Sequence, residues 1–522
     1  MKMKKLRIIF FLVMLPVVCL SQDNFSRKER VAYQDADFAF DQGDYAYALI
    51  LFEQLYEIDS EFQPLNYKLG ACLIEESKDL DRALRLIREA IESGENEALL
   101  FYAKALHNQE QFDESIKYLR DYKRLESKNR PEREVDLLID QAIRAKRMMA
   151  NPVDVEIKNL GGDINTAFHE YVPVVTPDNN QLYFTSRRPG TTGGEQDPNG
   201  EFFEDIYQSK YIDGQWAKAE NTGKTVNSEL NDATVALSAD GTEMIIFRTN
   251  KNLTGGDLYI TKLKEGAWTE PEKLNSKINS IYQETSACFS PDKKTLYFSS
   301  NRPGGYGGKD LYRVKVLPNG EWSLPKNLGP TINTEASEDA PFMDIDGRTL
   351  YFSSDGHTSM GGFDMFKSHV SENEVWDTPE NLGFPINTVN DDIFLTVDAG
   401  GRKGYYSSDK SGGFGRQDLY ELDFIYRQET QLVLKSKIVD TSGEPVDATI
   451  TLIASDESQL QGKYKANGRN GKFILIVNPL TNYKMVVEAP GYHTTTREIY
   501  RGFPEEEGKF VFEIERVVIT KE

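Results

Sequence analysis

The chain has 522 residues, 39% of them apolar and 11% aromatic, enough to fill several cores and too many for one. Its 61 basic and 83 acidic residues leave a net charge of −22. No basic patch interleaved with aromatic residues offsets that charge, so nucleic acid is excluded as a partner.

The N-terminus reads as an export signal. Lys2, Lys4, Lys5 and Arg7 precede an apolar run from Ile8 to Leu20, too short to span a membrane. Cleavage after Ser21 fits the small-residue rule and defines a signal peptide over 1–21. Cys19 offers an alternative, an acylated lipoprotein end, although Val18 is larger than the residue such processing favours. No later run reaches spanning length. Cys72 and Cys288 remain after processing; they lack the spacing of a disulfide framework and read as buried thiols. Only five histidines are present. Neither a metal nor another cofactor is expected.

Residues 22–150 carry apolar positions at three- and four-residue spacing, the period of helices. Gly43-Asp-Tyr45, Asp79-Leu-Asp-Arg-Ala83 and Gln111-Phe-Asp-Glu-Ser115 recur with small residues at Ala48, Ala83 and Ser115. Their separations of 35 and 32 bracket the 34 of tetratricopeptide repeats. Tyr67-Lys-Leu69-Gly70-Ala71 and Tyr102-Ala103-Lys-Ala105-Leu106 read as first helices of such repeats, and Glu132 to Met149 as a terminal helix. The array is expected to offer a groove to a peptide or partner helix, or to serve as a spacer.

Residues 151–427 repeat one pattern: a strand, a glycine-rich loop and a second strand. Leu296-Tyr-Phe-Ser-Ser-Asn-Arg-Pro-Gly-Gly-Tyr-Gly-Gly-Lys-Asp310-Leu-Tyr312 shows it most fully. The aspartate before the second strand recurs at Asp205, Asp257, Asp310, Asp364 and Asp418, with spacings of 52, 53, 54 and 54. An Ile/Val-Asn-Ser/Thr triplet places Asn165, Asn227, Asn279, Asn333 and Asn387 in the same units. A period near fifty in strand-rich sequence predicts a β-propeller, here with five blades. The last unit lacks an outer strand, and Val153 to Leu160 matches the missing one, so the N-terminal segment is expected to clasp blade five. The five aspartates are read as structural anchors of the glycine loops. Arg187, Arg188, Arg302, Tyr306, His357 and Phe414 vary between copies on the loop face, where a binding site could reside or where loop tips simply meet solvent. The long loop from Pro189 to Glu204 lacks the ligand order of a calcium loop.

Residues 428–522 break the period. Short alternating strands with glycine and asparagine turns predict a small β-sandwich. Asp440-Thr-Ser-Gly-Glu-Pro-Val446, Asn470-Gly-Lys-Phe473 and Ala489-Pro-Gly-Tyr492 resemble carboxypeptidase-regulatory-like domains, a resemblance that implies no peptidase activity. The expected fold is thus multidomain, α then β: a helical array, a five-bladed propeller and a sandwich.

In this order, with the Leu-Tyr-Phe-Ser-Ser repeats of a WD40-like (PD40) propeller, the chain resembles the PorE-type periplasmic proteins of the type IX secretion and gliding machinery. The resemblance implies a non-enzymatic scaffold in the periplasm, associated with the outer membrane, that binds envelope proteins through the helical groove and the propeller face. In that family an OmpA-like domain that binds peptidoglycan follows the sandwich. The sequence runs to Glu522 without one, and direct peptidoglycan binding is not expected. Two alternatives stay open: a TolB-like propeller binding a peptide or glycan in its channel, and a propeller glycan hydrolase. Against an enzyme stand the missing Gly-x-Ser-x-Gly elbow and the missing His-Glu-x-x-His. A carboxylate pair across blades is invisible in sequence.

Overall fold

A computed structural model describes residues 24–76, 78–126, 132–197, 200–424, 431–454, 460–478, 481–500 and 511–522. The export segment with Cys19 and Ser21, and the junction at 427/428, lie outside them. The chain divides into two compact units, residues 1–136 and 137–522.

Six helices build the first unit: α1 (Arg27–Asp41), α2 (Tyr45–Tyr56), α3 (Gln63–Glu75), α4 (Leu80–Glu92), α5 (Ala98–Asn108) and α6 (Phe112–Glu126). They pair as α1 with α2, α3 with α4 and α5 with α6, the repeated hairpin that the spacing predicts. Side-chain caps start several of them. Ser26 and Glu29 form a reciprocal capping box on α1, and Asp44 and Asp79 accept from the first-turn amides of α2 and α4. The small residues sit where helices touch. Ala48 and Ala83 are fully buried. A Cβ on Gly70 would lie 3.0 Å from Ile87 Cγ1, so only glycine lets α3 approach α4 this closely. Ser115 Oγ donates to the Ala103 carbonyl at 2.7 Å, tying α6 to α5.

A seventh helix, α7 (Glu132–Met149), contains the division between the units. Asp136 pairs with Lys123 of α6 at 2.8 Å. Beyond it, Arg144 Nε donates to the Ser359 carbonyl at 3.1 Å and Gln141 to that of Gly361.

The second unit contains five antiparallel sheets of at least four strands each, the blades of a propeller. Blade three runs Ala287–Phe289, Thr295–Ser300, Asp310–Lys315 and Lys326–Asn327, from innermost to outermost. Its outer strand is shorter than the Trp322–Leu328 stretch suggests, since Pro325 has no N–H for the ladder and only an isolated bridge joins Trp322 to Val316. Blade five ends in a strand from far upstream. Glu156–Asn159 pairs antiparallel with Asp418–Asp423, placing Ile157 opposite Leu422, so the ring closes with the N-terminal segment as its clasp.

Asparagines weld each blade to the next. Asn333 accepts from the Leu311 amide at 2.8 Å and donates to the Leu311 carbonyl at 3.1 Å and to Asn327 at 2.8 Å. Asn165, Asn227, Asn279 and Asn387 bond Leu419, Ile206, Leu258 and Met365 in the same way. Each thereby satisfies a backbone pair left over where the chain passes between blades.

The C-terminal region is a sandwich. Leu432–Asp440 pairs with Lys472–Val477 and, in parallel, with Val511–Glu513 and Val517–Ile519. The facing sheet orders Leu460–Lys465, Thr449–Ala454, Tyr483–Glu488 and Thr495–Ile499. Leu434, Ile450, Leu475 and Met485 meet between them in a fully buried core. Cys72 and Cys288 are free and buried, each in its own unit. Burial pushes the Cys288 thiol up to about 12.

Candidate functional site

The glycine loops and the blade-to-blade connections share one face of the ring, and they interlock there. A Cβ on Gly307 would overlap the Ala336 carbonyl oxygen, and one on Gly193 would lie 2.5 Å from that of Glu229. Four of the repeat aspartates hold these loops. Asp310 accepts from the Tyr306 and Gly307 amides at 2.7 and 3.0 Å and from Asn327 Nδ2 at 2.6 Å. Asp205, Asp364 and Asp418 accept equivalent bonds from Thr192, Met360 and Phe414. Asp257 differs: its blade has Lys273 where the others have asparagine, and the two pair at 2.7 Å.

Three of the six loop-face residues turn inward. Arg302 donates to Ser300 Oγ at 2.9 Å, to the Ile278 carbonyl at 2.9 Å and to Glu284 at 3.0 Å, and its guanidinium stacks on Phe298 and Tyr312. Arg188 repeats the arrangement with Ser186, Ile164, Glu170, Phe184 and Tyr207. In blade four His357 fills the same space, with Nε2 2.8 Å from the Ile332 carbonyl and its ring on Phe352 and Phe366. Arg248 in blade two and Lys410 in blade five complete the set; sequence reasoning missed both, although Arg248 falls near the end of the second strand of its unit and Lys410 just after it. Four blades thus carry a lysine or arginine, and blade four a histidine, against one or two aromatic rings and above a buried acid, Glu170, Asp232, Glu284, Glu338 or Asp392; burial lowers the His357 imidazole below its ordinary value. Arg188, Arg302 and His357, expected on the loop face, are thus engaged within their own blades. Arg187 is also occupied, by Asp197 at 2.5 Å and Glu201 at 3.0 Å within the long loop of blade one. Those acids are therefore spent on an arginine. No cluster suited to a metal occurs among the described residues.

Tyr306 and Phe414 remain at the surface, 50% and 53% exposed. Phe168, Leu253, Ile281 and Tyr282, on other loops and connections, are exposed as well and were not singled out from sequence. Ile281 is 92% exposed.

At the centre the innermost strands line a channel. Three of them, Glu170–Val175, Glu338–Met343 and Asp392–Val397, contain bulges with Val172, Ala340 and Phe394 at φ of 49°, 51° and 64°. Side chains with a Cβ rarely adopt that region, and each such residue costs about 1–3 kcal/mol unless its surroundings enforce it. Cross-blade bonds provide that enforcement. Thr234 Oγ1 donates to the Val172 carbonyl at 2.7 Å, Thr396 Oγ1 to that of Pro173 at 3.1 Å, and the Ala340 amide to Ser286 Oγ at 3.1 Å.

The loop-face end of the channel is polar. Burial raises the Glu204 carboxyl despite its bond with Tyr171. Lys309 Nζ lies 2.8 Å from Asp339, whose carboxyl burial pushes up but Lys309 and two serines bring below the ordinary value. Asp355, Asp391 and Asp409 stand at strand ends of blades four and five. Asp409, pushed up to about 6 by burial and by Asp391, accepts from the Asp391 amide at 3.1 Å.

No family model and no curated protein matches the chain. Solved structures do. An α-L-arabinofuranosidase from Lactobacillus brevis is 13% identical, with 51% of this chain and 92% of that one covered and a TM-score of 0.31. An α-L-arabinanase from Penicillium chrysogenum, complexed with arabinobiose, is 12% identical, covering 52% and 99%, at 0.32. A 3-chlorocatechol 1,2-dioxygenase from Rhodococcus opacus is 13% identical over 18% of this chain, which spans 62% of that one, at 0.15. The likeness is one of fold alone.

Proposed function

We propose that this chain is a non-enzymatic scaffold of the cell envelope, exported to the periplasm and associated with the outer membrane, where it binds envelope proteins of a secretion or gliding assembly. The observation that carries this reading is how the loop face uses its residues. Its repeated cations, acids and amides are engaged inside the blades, whereas Tyr306, Phe414, Ile281 and Tyr282 project from it. Exposed apolar and aromatic side chains gathered on a rigid frame suit protein contact. The helical unit exposes large apolar residues as well, Phe38 at 69%.

The test is a crosslinked pull-down of the exported protein from envelope membranes, with bound proteins identified by mass spectrometry. Recovery of secretion or outer-membrane components, lost when Tyr306, Phe414 and Ile281 are replaced by serine, is the expected result. A clean monomer without protein partners would overturn the scaffold reading.

A further inference from the structure

The sandwich closes the turn side of the channel. Val433 and Ile476 pack there with Ala399, flanked by Ala239, Ile345 and Val511. Lys435 fastens the contact to Asp178 at 2.6 Å, and Arg469 crosses to Glu265 at 3.2 Å. Beside these crossings a cleft of about 1500 Å³ separates the sandwich from blades one and two. That exceeds the ~300–1,000 Å³ of pockets for drug-sized ligands, so the cleft suits a length of polymer.

The cleft reverses the sign of the chain. Lysine and arginine outnumber aspartate and glutamate along it by nine to six, against 61 to 83 overall. Five of its acids already face a cation: Asp178 meets Lys435, Asp240 and Glu243 meet Lys293, Glu265 meets Arg469 and Asp447 meets Lys465. The sixth, Glu513, stands beside Lys435 in the parallel strand pair. Lys210, Lys264, Lys437, Lys472 and Arg516 have no acid at ion-pair distance among the described residues. Strand alternation puts Leu434 and Ile438 in the sandwich core and Lys437 on the opposite face, in the cleft. Lys472 is its direct partner on the neighbouring strand. Like charges so placed destabilise a sheet, and an anion lying against both removes that cost.

Apolar side chains accompany these cations, since Ile212, Leu263, Ile474 and Ile514 line the same cleft. Of its two rings, Phe473 is buried in the sandwich core and Tyr211 packs on Trp216, so no exposed ring offers a platform to a sugar. Cations focused in a cleft of an otherwise acidic protein draw in and orient an anion. The apolar surface between them favours a chain that carries apolar groups as well.

We propose that this cleft receives an acidic segment of a partner protein, its carboxylates meeting Lys437, Lys472, Lys210, Lys264 and Arg516 and its apolar side chains lying on Ile212, Leu263 and Ile474. This rests on the scaffold reading and names the place and chemistry of one contact in it.

Fluorescence anisotropy on the full mature chain tests it with three labelled peptides: Gly-Asp-Leu-Glu-Asp-Leu-Glu-Gly, its counterpart with asparagine and glutamine for the acids, and its counterpart with serine for leucine. The first should bind roughly tenfold tighter than the amide peptide and severalfold tighter than the serine peptide. Its advantage over the amide peptide should shrink between about 0.05 and 0.5 M salt. In Lys437→Gln/Lys472→Gln the preference for acids should fall severalfold with no loss of melting temperature, because the change also removes a like-charge pair. Lys224→Gln/Lys277→Gln, which removes the same charge from exposed positions outside the cleft, should leave binding unchanged. Binding that ignores the acids or the leucines, no loss in the first double variant, or an equal loss in both overturns the proposal. Displacement of the peptide by an oligogalacturonate that binds more tightly overturns it too, by assigning the cleft to acidic glycans. The envelope pull-down repeated with Lys437→Gln/Lys472→Gln separates the two readings: partners captured undiminished leave a scaffold that does not use this cleft, and no partners with either protein removes the scaffold itself.

Discussion

Replacing Arg302 with methionine separates a structural cation from a ligand contact. The change keeps most of the aliphatic stem but removes bonds to Ser300, the Ile278 carbonyl and Glu284. Glu284 is 2% exposed and loses the arginine paired with it, keeping hydroxyl and amide donors from Ser280 and Ser300. Removing one partner of a buried pair costs about 3–5 kcal/mol because the remaining charge is stranded. Arg302 keeps some solvent contact at 15% side-chain exposure, so the low end, about 3 kcal/mol, is expected. In a propeller of this size that lowers its melting transition by about 6–12 °C. Calorimetry of the intact chain reads it directly, with Tyr306→Ala as control, since an exposed loop tip should stay within about 0.5 kcal/mol. A double variant, Arg302→Met with Glu284→Gln, should recover part of the loss because no charge is left buried. A melting point unchanged by Arg302→Met would refute the structural assignment and return the residue to the binding face.

Three further outcomes follow from the same geometry. Gly307→Ala should lower the propeller transition, because the new methyl overlaps the Ala336 carbonyl and overpacking costs about 1–3 kcal/mol; Gly304→Asn, at a φ of 91° with open space around it, should cost less in the same scan. Ile157→Pro removes a ladder donor from the clasp opposite Leu422, so the amides of Leu419 to Leu422 should exchange faster with deuterium while those of blade three keep their protection. The partly buried Asp409 makes stability depend on pH. Its carboxyl is raised from the ordinary value of 3.8 to about 6, so its contribution is full below about pH 4 and is lost as pH rises through 6. Denaturant titrations from pH 4 to 7 should show a smaller decline in Asp409→Asn than in the unaltered chain, and equal slopes would reject the assignment.

Much of the architecture is legible in the chain because it is periodic. A blade needs the same aspartate, asparagine and aromatic positions each time, so Asp310 and Asn333 recur in sequence as they recur around the ring. The clasp is legible for the same reason: a fifth unit without an outer strand leaves one copy unmatched, and Val153 to Leu160 is that copy. The helical hairpins show through the spacing of Ala48, Ala83 and Ser115, which pack where helices must meet.

Residue types and spacing by themselves therefore determined the number of repeats, the helical hairpins, the order of the folds and how the propeller closes. Only the tertiary structure decided what the charges do. Arg188, Arg302 and His357 look like variable loop residues in sequence, yet the folded blade places each between two aromatic rings and over a buried acid. The blind channel is likewise made by contacts between residues far apart in the chain, such as Ala239, Ala399 and Val433. Local pattern records which way a strand faces; burial and pairing depend on which distant strand arrives opposite, and that exists only once the ring is closed.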